Sequence, residues 1–281
     1  MFGRSSVNKI YIDSRFKTKE SISDSNFSVD LPESVELGEG TGCVVTDITI
    51  PHTWYNISTN NNRFFFRVVR EGPPIVIIDV GLTITPQNYD IFQLGQALEE
   101  TMNAAMAGPV FDVTVDAQAG TLIIALLPAN TGVEFLDDDT LATRVNGSWT
   151  GPIYDTTNIK SMNSVLRING LPRQQRVRDN AGPFVTGVID LLPLHSLFLT
   201  STKISNYSSL SVNGSRNTLK KMVITTGFGQ INTYDLVFPE EAVDVSGLTL
   251  KLLDFQLRDS FGNIVDLNGA HITFSLLLIK T

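Results

Sequence analysis

The C-terminal stretch of residues 248–279, LTLKLLDFQLRDSFGNIVDLNGAHITFSLLLI, decides the fold class of this chain. Leucines alternate with polar residues from Leu248 to Leu252, which is the period of a half-buried β-strand. From Leu253 to Leu257 the alternation continues one residue out of phase. Because a one-residue slip would turn the core face of the strand towards water, we predict a β-bulge near Leu252 and Leu253.

The same stretch ends in a second apolar strand. After a turn at residues 268–269, every second position from Ile272 to Leu278 is apolar. A strand of this kind must be covered, because an open apolar edge invites pairing with other chains. We therefore expect it to lie inside a β-sandwich or against another subunit.

The composition describes an ordered protein held together by packing. Of the 281 residues, 42% are hydrophobic and 18% are charged, which is typical of globular rather than disordered chains. The formal net charge of −8 argues against nucleic-acid binding, which needs a basic face. The single cysteine, Cys43, excludes an internal disulfide framework. Since no signal-peptide pattern and no membrane-spanning apolar run is present, we expect a soluble protein without membrane binding, made in a cytosol-like compartment.

Strand patterns fill both ends of the chain. Residues 1–70 and 183–281 carry short alternating runs separated by turn residues, which is typical of a β-sandwich or jelly roll. The first block has only about four strands, too few for an independent sheet with one apolar face. We therefore predict a mainly β fold in which the two blocks form one discontinuous jelly-roll β-sandwich.

Residues 71–182 differ in character and predict an inserted, small α/β subdomain. A start signal at Thr85 and Pro86 precedes an apolar stripe with helical spacing over residues 88–106. Residues 110–128 follow as a compact β-hairpin. The segment 128–182 is rich in Asn, Thr, Gly and Pro, and we expect ordered loops there.

The motifs indicate no site for chemistry. The sequence has no nucleophile elbow, phosphate-binding loop or dinucleotide fingerprint, and its three histidines lack metal-ligand spacing. Asp137, Asp138 and Asp139 form the densest acidic spot, but adjacent carboxylates point apart and suit a helix N-terminus equally well. We expect no catalytic residue, no cofactor and no metal, and hence no enzyme, although an ion at this acidic spot stays open.

A basic segment stands out on this acidic chain. Arg167, Arg173, Arg176 and Arg178 cluster within VLRINGLPRQQRVRDN. The segment has no interleaved aromatic residues for stacking on nucleic-acid bases, so a solvated loop or a subunit contact explains it better. We take Arg173, Arg176 and Arg178 as interface candidates.

Both ends of the chain carry a resemblance to a known family. Residues 11–37 contain DSRF followed by the pattern S.S.F.V.LP, and the segments 188–222 and 250–278 follow in matching order and spacing. These segments resemble the penton, or minor capsid, proteins of Polinton (Maverick) elements, adintoviruses and virophages. The region 71–182 has no motif of the family, in which it would be a variable insertion on the outer surface.

The resemblance implies a structural role in a virus particle. It implies homopentamers at the five-fold vertices of an icosahedral double-stranded DNA virus, beside trimers of the major capsid protein. It also implies an N-terminal arm in which Arg15, Phe16 and Lys17 reach neighbouring capsomers, and an outward insertion that is a candidate for binding a host receptor. The chain is then expected in the virion, after synthesis in the host cytoplasm or nucleus.

A second function, from a different class, stays open. A receptor- or carbohydrate-binding β-sandwich, such as a spike or lectin domain, would show the same strand pattern. Trp54, Tyr55 and the phenylalanines at 64–66 are candidates for its sugar-binding platform, although aromatic residues beside apolar strands usually belong to the core. Binding on a glycan array would favour this alternative over a capsid subunit.

Overall fold

A computed structural model describes residues 8–59, 61–70, 73–127, 131–135, 175–177, 182–192, 194–204, 210, 214, 216–235 and 242–280. No helix in these ranges is long and apolar enough to cross a lipid bilayer. The elements in chain order are β1 (Lys9–Asp13), a 3₁₀ turn (Ser14–Phe16), β2 (Asn26–Glu36), β3 (Thr41–Pro51), β4 (Arg63–Arg70), β5 (Val76–Thr83), α1 (Ile91–Ala105), β6 (Phe111–Asp116), β7 (Thr121–Leu126), β8 (Thr131–Phe135), β9 (Gln175–Val177), β10 (Phe184–Val185), β11 (Ser196–Thr200), β12 (Thr218–Val223), β13 (Ile231–Tyr234), β14 (Val243–Asp244), β15 (Thr249–Arg258) and β16 (Thr273–Lys280).

The chain divides into two compact units. One contains Met1–Trp54 together with Leu194–Thr281, and the other contains Tyr55–Pro193. These boundaries differ from those drawn on the sequence at residues 70 and 183. Strand β4 pairs with β5 and β8, and β10 pairs with β7, so both strands belong to the second unit. Their sequences predicted strands, but only their hydrogen-bonded partners assign them to a unit.

The first unit is a jelly-roll β-sandwich. One sheet has the strand order β1-β16-β3-β13, with β14 also paired to β3, and the other has the order β12-β11-β15-β2. All of these pairs are antiparallel. Successive strands switch between the two sheets at most connections, so strands far apart in sequence become neighbours, as in jelly rolls. The prediction of a mainly β jelly roll is confirmed.

Aromatic side chains fill the core of the sandwich. The ring of Phe255 on β15 lies 5.6 Å from that of Phe27 on β2 and 4.9 Å from that of Phe274 on β16, measured between centroids. None of the three side chains is more than 2% exposed. Burial of each ring stabilises the fold by roughly 1.5–3 kcal/mol, so these contacts hold the two sheets face to face.

The predicted phase slip in β15 is present, slightly earlier than expected. Leu250 and Leu253 are buried, whereas Lys251 and Leu252 between them face solvent. The pairing register between β15 and β2 shifts between Leu250 and Leu252. The extra residues lie on β2, where positions 31–34 stand opposite Lys251 alone. The bulge on β2 therefore allows Leu250 and Leu253, on either side of the phase slip in β15, both to face the core.

The second unit packs one helix with two small sheets. The strand orders of these sheets are β5-β4-β8-β9 and β10-β7-β6. Helix α1 buries Leu94, Leu98 and Met102 in a core shared with both sheets. Phe66 of β4 and Phe111 of β6 meet edge to face, with ring centroids 5.3 Å apart. The predicted helix and hairpin are thus both present.

Two local predictions in the second unit need correction. Helix α1 begins after Asp90, not after the Thr85–Pro86 signal, because Asp90 and Gln93 form a capping box with bonds of 2.8 and 3.0 Å. The segment 128–182 was expected to be loops, yet it contains β8 and β9. Both strands are short, and they are held by pairing with strand β4 and with each other.

Candidate assembly surface

Two neighbouring edge strands form the candidate assembly surface of the sandwich. Strand β1 is last in one sheet and β2 is last in the other, and each pairs with one strand only among the described residues. Between them lies a groove of about 580 Å³ whose walls include Tyr11, Phe16, Leu31 and Pro32. We call it the edge groove. Open sheet edges are where strands of other chains attach, so this is the part of the sandwich suited to a protein contact.

The segment DSRF, residues 13–16, shapes one wall of the edge groove. Asp13 caps the 3₁₀ turn by accepting the backbone N–H of Arg15 at 2.9 Å. The Arg15 guanidinium also donates to Asp13, with Nη2 2.6 Å and Nε 3.0 Å from Oδ2. This pairing lowers the pKa of Asp13 and raises the pKa of Arg15. Phe16, at the end of the turn, is left 78% exposed.

Ser14 anchors this turn to the sandwich. Its side chain is fully buried, and Oγ accepts the backbone N–H of Ile272 at 3.1 Å. The backbone N–H of Ser14 donates to the carbonyl of Ile272 at 3.0 Å. Oγ also donates to Asp24, whose carboxylate pairs with Lys17 at 2.7 Å. Hydrogen bonding, rather than apolar burial, therefore fixes the orientation of the turn.

The loop after the turn covers only the first part of edge strand β2. The backbone N–H of Thr18 donates to the carbonyl of Ser28 at 2.8 Å, and that of Ile22 donates to Asn26 at 3.1 Å. The later part of the strand, residues 30–36, contains Pro32 and pairs on one side with β15. Lys251 donates to the carbonyls of Leu31 and Pro32, but no other strand in the described part of the chain pairs with this half of the edge.

A bulge in β3 places a carboxylate beside the edge groove. The register between β16 and β3 shifts between Thr273 and Ser275, and Asp47 adopts a φ of +51°. A short polar side chain tolerates this left-handed conformation better than most. Asp47 pairs with Lys9 of β1, which lowers the pKa of Asp47 and raises that of Lys9. The bulge thereby ties the edge strand to the middle of its sheet.

The rim of the edge groove is aromatic. Tyr11 is 77% exposed and lies beside Lys9, whose Nζ is 5.3 Å from the ring centroid. Together with Phe16, it offers two large rings to solvent at one edge of the sandwich. Aromatic residues are enriched at protein interfaces, because they bury a large area at little cost in conformational entropy. The groove is therefore suited to an apolar contact with another protein.

The three predicted interface residues of the N-terminal segment have different surroundings in the structure. Arg15 and Lys17 form ion pairs within the chain, with Asp13 and Asp24. Phe16 is exposed at the groove, and its role in an interface stays a prediction, as do those of Arg15 and Lys17. Tyr11 was not predicted, because a single outward position in a short strand looks ordinary until the sheet order places that strand at an edge.

Of the three predicted interface residues in the basic segment, only Arg176 lies within the described part of the chain. Arg173 and Arg178 lie outside the described residues, as do Asp137, Asp138 and Asp139. Arg176 lies on β9, where its backbone pairs with that of Glu134 on β8.

Aromatic and polar side chains near the end of β3 serve the core of the first unit. Trp54 is only 3% exposed and stacks on the His52 ring at a centroid distance of 4.0 Å. His52 Nδ1 lies 2.7 Å from the carbonyl oxygen of Thr226. In the ranges that the structure describes, no cluster of His, Cys, Asp or Glu has an arrangement that would hold a metal ion. A ring buried as deeply as Trp54 does not present a sugar-binding platform.

Comparison with known proteins gives a match in structure but not in sequence. No family model and no curated protein matches this chain. The crystal structure of the selenomethionine-labelled mavirus penton protein matches it over 97% of this chain and 99% of that chain. The TM-score is 0.53 and the sequence identity is 9%. The chain has the fold of the mavirus penton protein.

The extent of this match is informative. Since the second unit, Tyr55–Pro193, makes up about half of the chain, a match over 97% includes it as well as the jelly roll. The similarity to the mavirus penton protein agrees with the resemblance read from residues 11–37 and from the C-terminal segments. At 9% identity, it is a similarity of fold.

Proposed function

We propose that this protein is a structural penton, or minor capsid, protein that forms homopentamers at the five-fold vertices of an icosahedral double-stranded DNA virus. The observation that carries the proposal is the fold similarity to the mavirus penton protein, which spans nearly the whole of both chains. The segments of residues 11–37, 188–222 and 250–278 support it independently, because they resemble the pentons of Polinton elements, adintoviruses and virophages.

The geometry of the sandwich supports assembly rather than chemistry. A subunit that presents different surfaces to its two neighbours can close into a ring when the rotation between copies allows it. The open β1–β2 edge, with Tyr11 and Phe16 exposed, provides such a lateral surface. A ring of this kind needs buried interfaces between subunits and no catalytic group.

The proposal extends to the partners of the ring in the virion. The pentamer lies beside trimers of the major capsid protein, and the inserted second unit faces outward, where a host receptor has access to it. The second unit carries exposed apolar side chains, among them Ile75, Ile77 and Phe92. Exposed apolar residues of this size are common at protein-binding sites, which supports a contact there.

The oligomeric state of the purified protein tests the proposal. Sedimentation and negative-stain images at high protein concentration should show rings with five-fold symmetry. Mixing these rings with purified major capsid trimers should then fill the vertices of assembled shells. Monomers and dimers alone, at every concentration, would contradict the proposal. Specific binding on a glycan array without any ring would favour the lectin-like alternative instead.

A further inference from the structure

Charges of opposite sign are segregated along the jelly-roll sequence. The segment 20–40 contains no lysine or arginine, and the segment 191–234 contains no aspartate or glutamate. The first segment carries the carboxylates Glu20, Asp24, Asp30, Glu33, Glu36 and Glu39. The second carries the cations Lys203, Arg216, Lys220 and Lys221. On a chain with a net charge of −8, a stretch of 44 residues without a carboxylate forms a distinct basic region.

The fold places these two segments at opposite edges of one sheet. In the order β12-β11-β15-β2, the acidic strand β2 and the basic strand β12 are the two end strands. Glu33 and Glu36 are exposed on β2, as is Asp30, which pairs with Lys251 of β15 at 3.3 Å; Lys221 is exposed on β12. We call residues 30–36 of β2, beside the edge groove, the acidic edge, and we call β12 together with β13 the basic edge. Each copy of the sandwich thus has one acidic edge and one basic edge.

The two edges also differ in shape. The acidic edge borders the edge groove and contributes Leu31 and Pro32 to its wall. The basic edge carries three exposed apolar side chains, Val223, Phe228 and Ile231, which are 52%, 45% and 59% exposed. Tyr234 of β13 donates its hydroxyl hydrogen to the carbonyl of Val223, which holds β13 against β12.

We propose that the basic edge of one copy docks on the acidic edge of the next, and that this head-to-tail contact closes the ring. The inference rests on the proposed pentamer and names the surfaces that form it. Lysines of β12 face Glu33 and Glu36 of the neighbour, and the apolar side chains of the basic edge cover its edge groove. A contact between two different surfaces of the same chain is heterologous, which is the kind of contact from which rings are built.

Electrostatic attraction across this contact makes assembly sensitive to salt. Exposed charges attract over about 8–10 Å at physiological ionic strength and over about 3 Å at 1 M salt. Complementary edges accelerate association and reject wrong pairings, such as two acidic edges. Ring formation should therefore slow as sodium chloride is raised, and the monomers should stay folded.

Charge reversal at each edge tests the contact. The variant Glu33→Lys/Glu36→Lys reverses the acidic edge, and Lys220→Glu/Lys221→Glu reverses the basic edge. Either variant alone should lose the ring, because two edges of like sign then meet. The four substitutions in one chain restore opposite signs at every contact and leave the net charge unchanged, so this variant should recover the ring.

Mixing the two single-edge variants adds a test that depends on ring size. In the mixture, complementary contacts form only between unlike variants, which must alternate around the ring. A five-membered ring has an odd number of positions and cannot alternate, so the mixture should give open chains or even-numbered rings. Circular dichroism should show that all variants are folded. The control Glu100→Lys/Asp112→Lys makes the same charge change as the acidic-edge variant at exposed positions of the second unit, and it should form rings.

The outcomes separate this inference from the function on which it rests. Rings in the wild type that are lost in each single-edge variant and recovered in the fourfold variant would support the contact. Rings that persist in both single-edge variants would overturn it and leave the pentamer standing. A wild-type protein that forms no ring would overturn the pentamer and this contact with it.

Discussion

Thr202 donates two hydrogen bonds to Asp254, from its backbone N–H at 3.0 Å and from its hydroxyl at 2.7 Å, both to Oδ2. The other carboxylate oxygen, Oδ1, accepts the backbone N–H of Lys203 at 2.9 Å and the hydroxyl of Ser201 at 3.1 Å. Asp254 lies on β15, within the stretch that decides the fold. Its carboxylate therefore fixes the chain where it leaves β11.

Replacing Asp254 should destabilise the jelly roll. Asp254→Ala leaves the backbone N–H groups of residues 202 and 203 without their acceptor. The loss should be about 1–3 kcal/mol in the free energy of unfolding, measured with a chemical denaturant. The control Asp235→Ala removes an exposed carboxylate and should change stability by less than about 0.5 kcal/mol. Equal effects of the two substitutions would contradict this role.

The same carboxylate should make stability depend on pH. Burial raises the pKa of Asp254, but the hydrogen bonds from Thr202, Lys203 and Ser201 lower it more, so the pKa lies below its ordinary value of 3.8. A depressed pKa contributes stability above the unfolded pKa, and this contribution is lost as the pH falls through the folded pKa. The stability difference between wild type and Asp254→Asn should therefore shrink as the pH falls from about 6 to about 3. A difference that stays constant over this range would refute the assignment.

Ser14→Ala should loosen the wall of the edge groove. The substitution removes the buried acceptor of the Ile272 N–H and the donor to Asp24. An unsatisfied buried N–H costs about 1–3 kcal/mol, which unfolding curves will detect. Ser34→Ala, at an exposed position of β2, is the control and should be nearly neutral.

Phe16→Ser should weaken assembly and leave the monomer stable. The Phe16 ring is 78% exposed, so the monomer loses little burial, whereas an interface at the edge groove loses a large apolar contact. Sedimentation should show dissociation at higher protein concentration than for wild type. Phe92→Ser, at a 59% exposed position of α1 in the second unit, should leave assembly unchanged. Dissociation of both variants to the same extent would argue against the edge groove.

Gly95→Leu should destabilise the second unit. A Cβ at Gly95 would lie 3.3 Å from side-chain atoms of both Leu122 and Val115, so the helix lies close to the hairpin there. A larger side chain must push α1 away, at a cost of about 1–3 kcal/mol. Gln96→Leu, one residue along on the exposed face, is the matched control. Thermal unfolding of both variants decides whether the close approach matters.

Cys43 should report on opening of the jelly roll. Its side chain is 3% exposed on β3, and burial raises the pKa of the thiol to about 12. Because the thiolate is the reactive form, alkylation at pH 8 should be very slow in the native protein. The rate should rise together with unfolding as denaturant is added. Rapid alkylation without denaturant would show that β3 is not packed as described.

Much of the local structure could be predicted from the sequence. The alternation around Phe255 identified β15 and its phase slip, and the stripe of Leu94, Leu98 and Met102 identified α1. The inserted subdomain was predicted to start at residue 71, whereas the second compact unit starts at Tyr55, because a strand pattern such as that of β4 does not show which sheet the strand joins. The aromatic rim at Tyr11 was missed for a similar reason, since its exposure follows from the position of β1 in its sheet.

The sequence by itself determined which segments form strands and which form the helix. Apolar side chains repeat every 2 residues in a half-buried strand and every 3.6 residues in a helix, and this spacing is visible within a short stretch of sequence. Only the tertiary structure decided that β2 pairs with β15, more than 200 residues away, and that β2 and β12 end the same sheet on opposite sides. Pairing and edge position depend on how all the strands pack together. For that reason, the opposed acidic and basic edges became visible only in the folded chain.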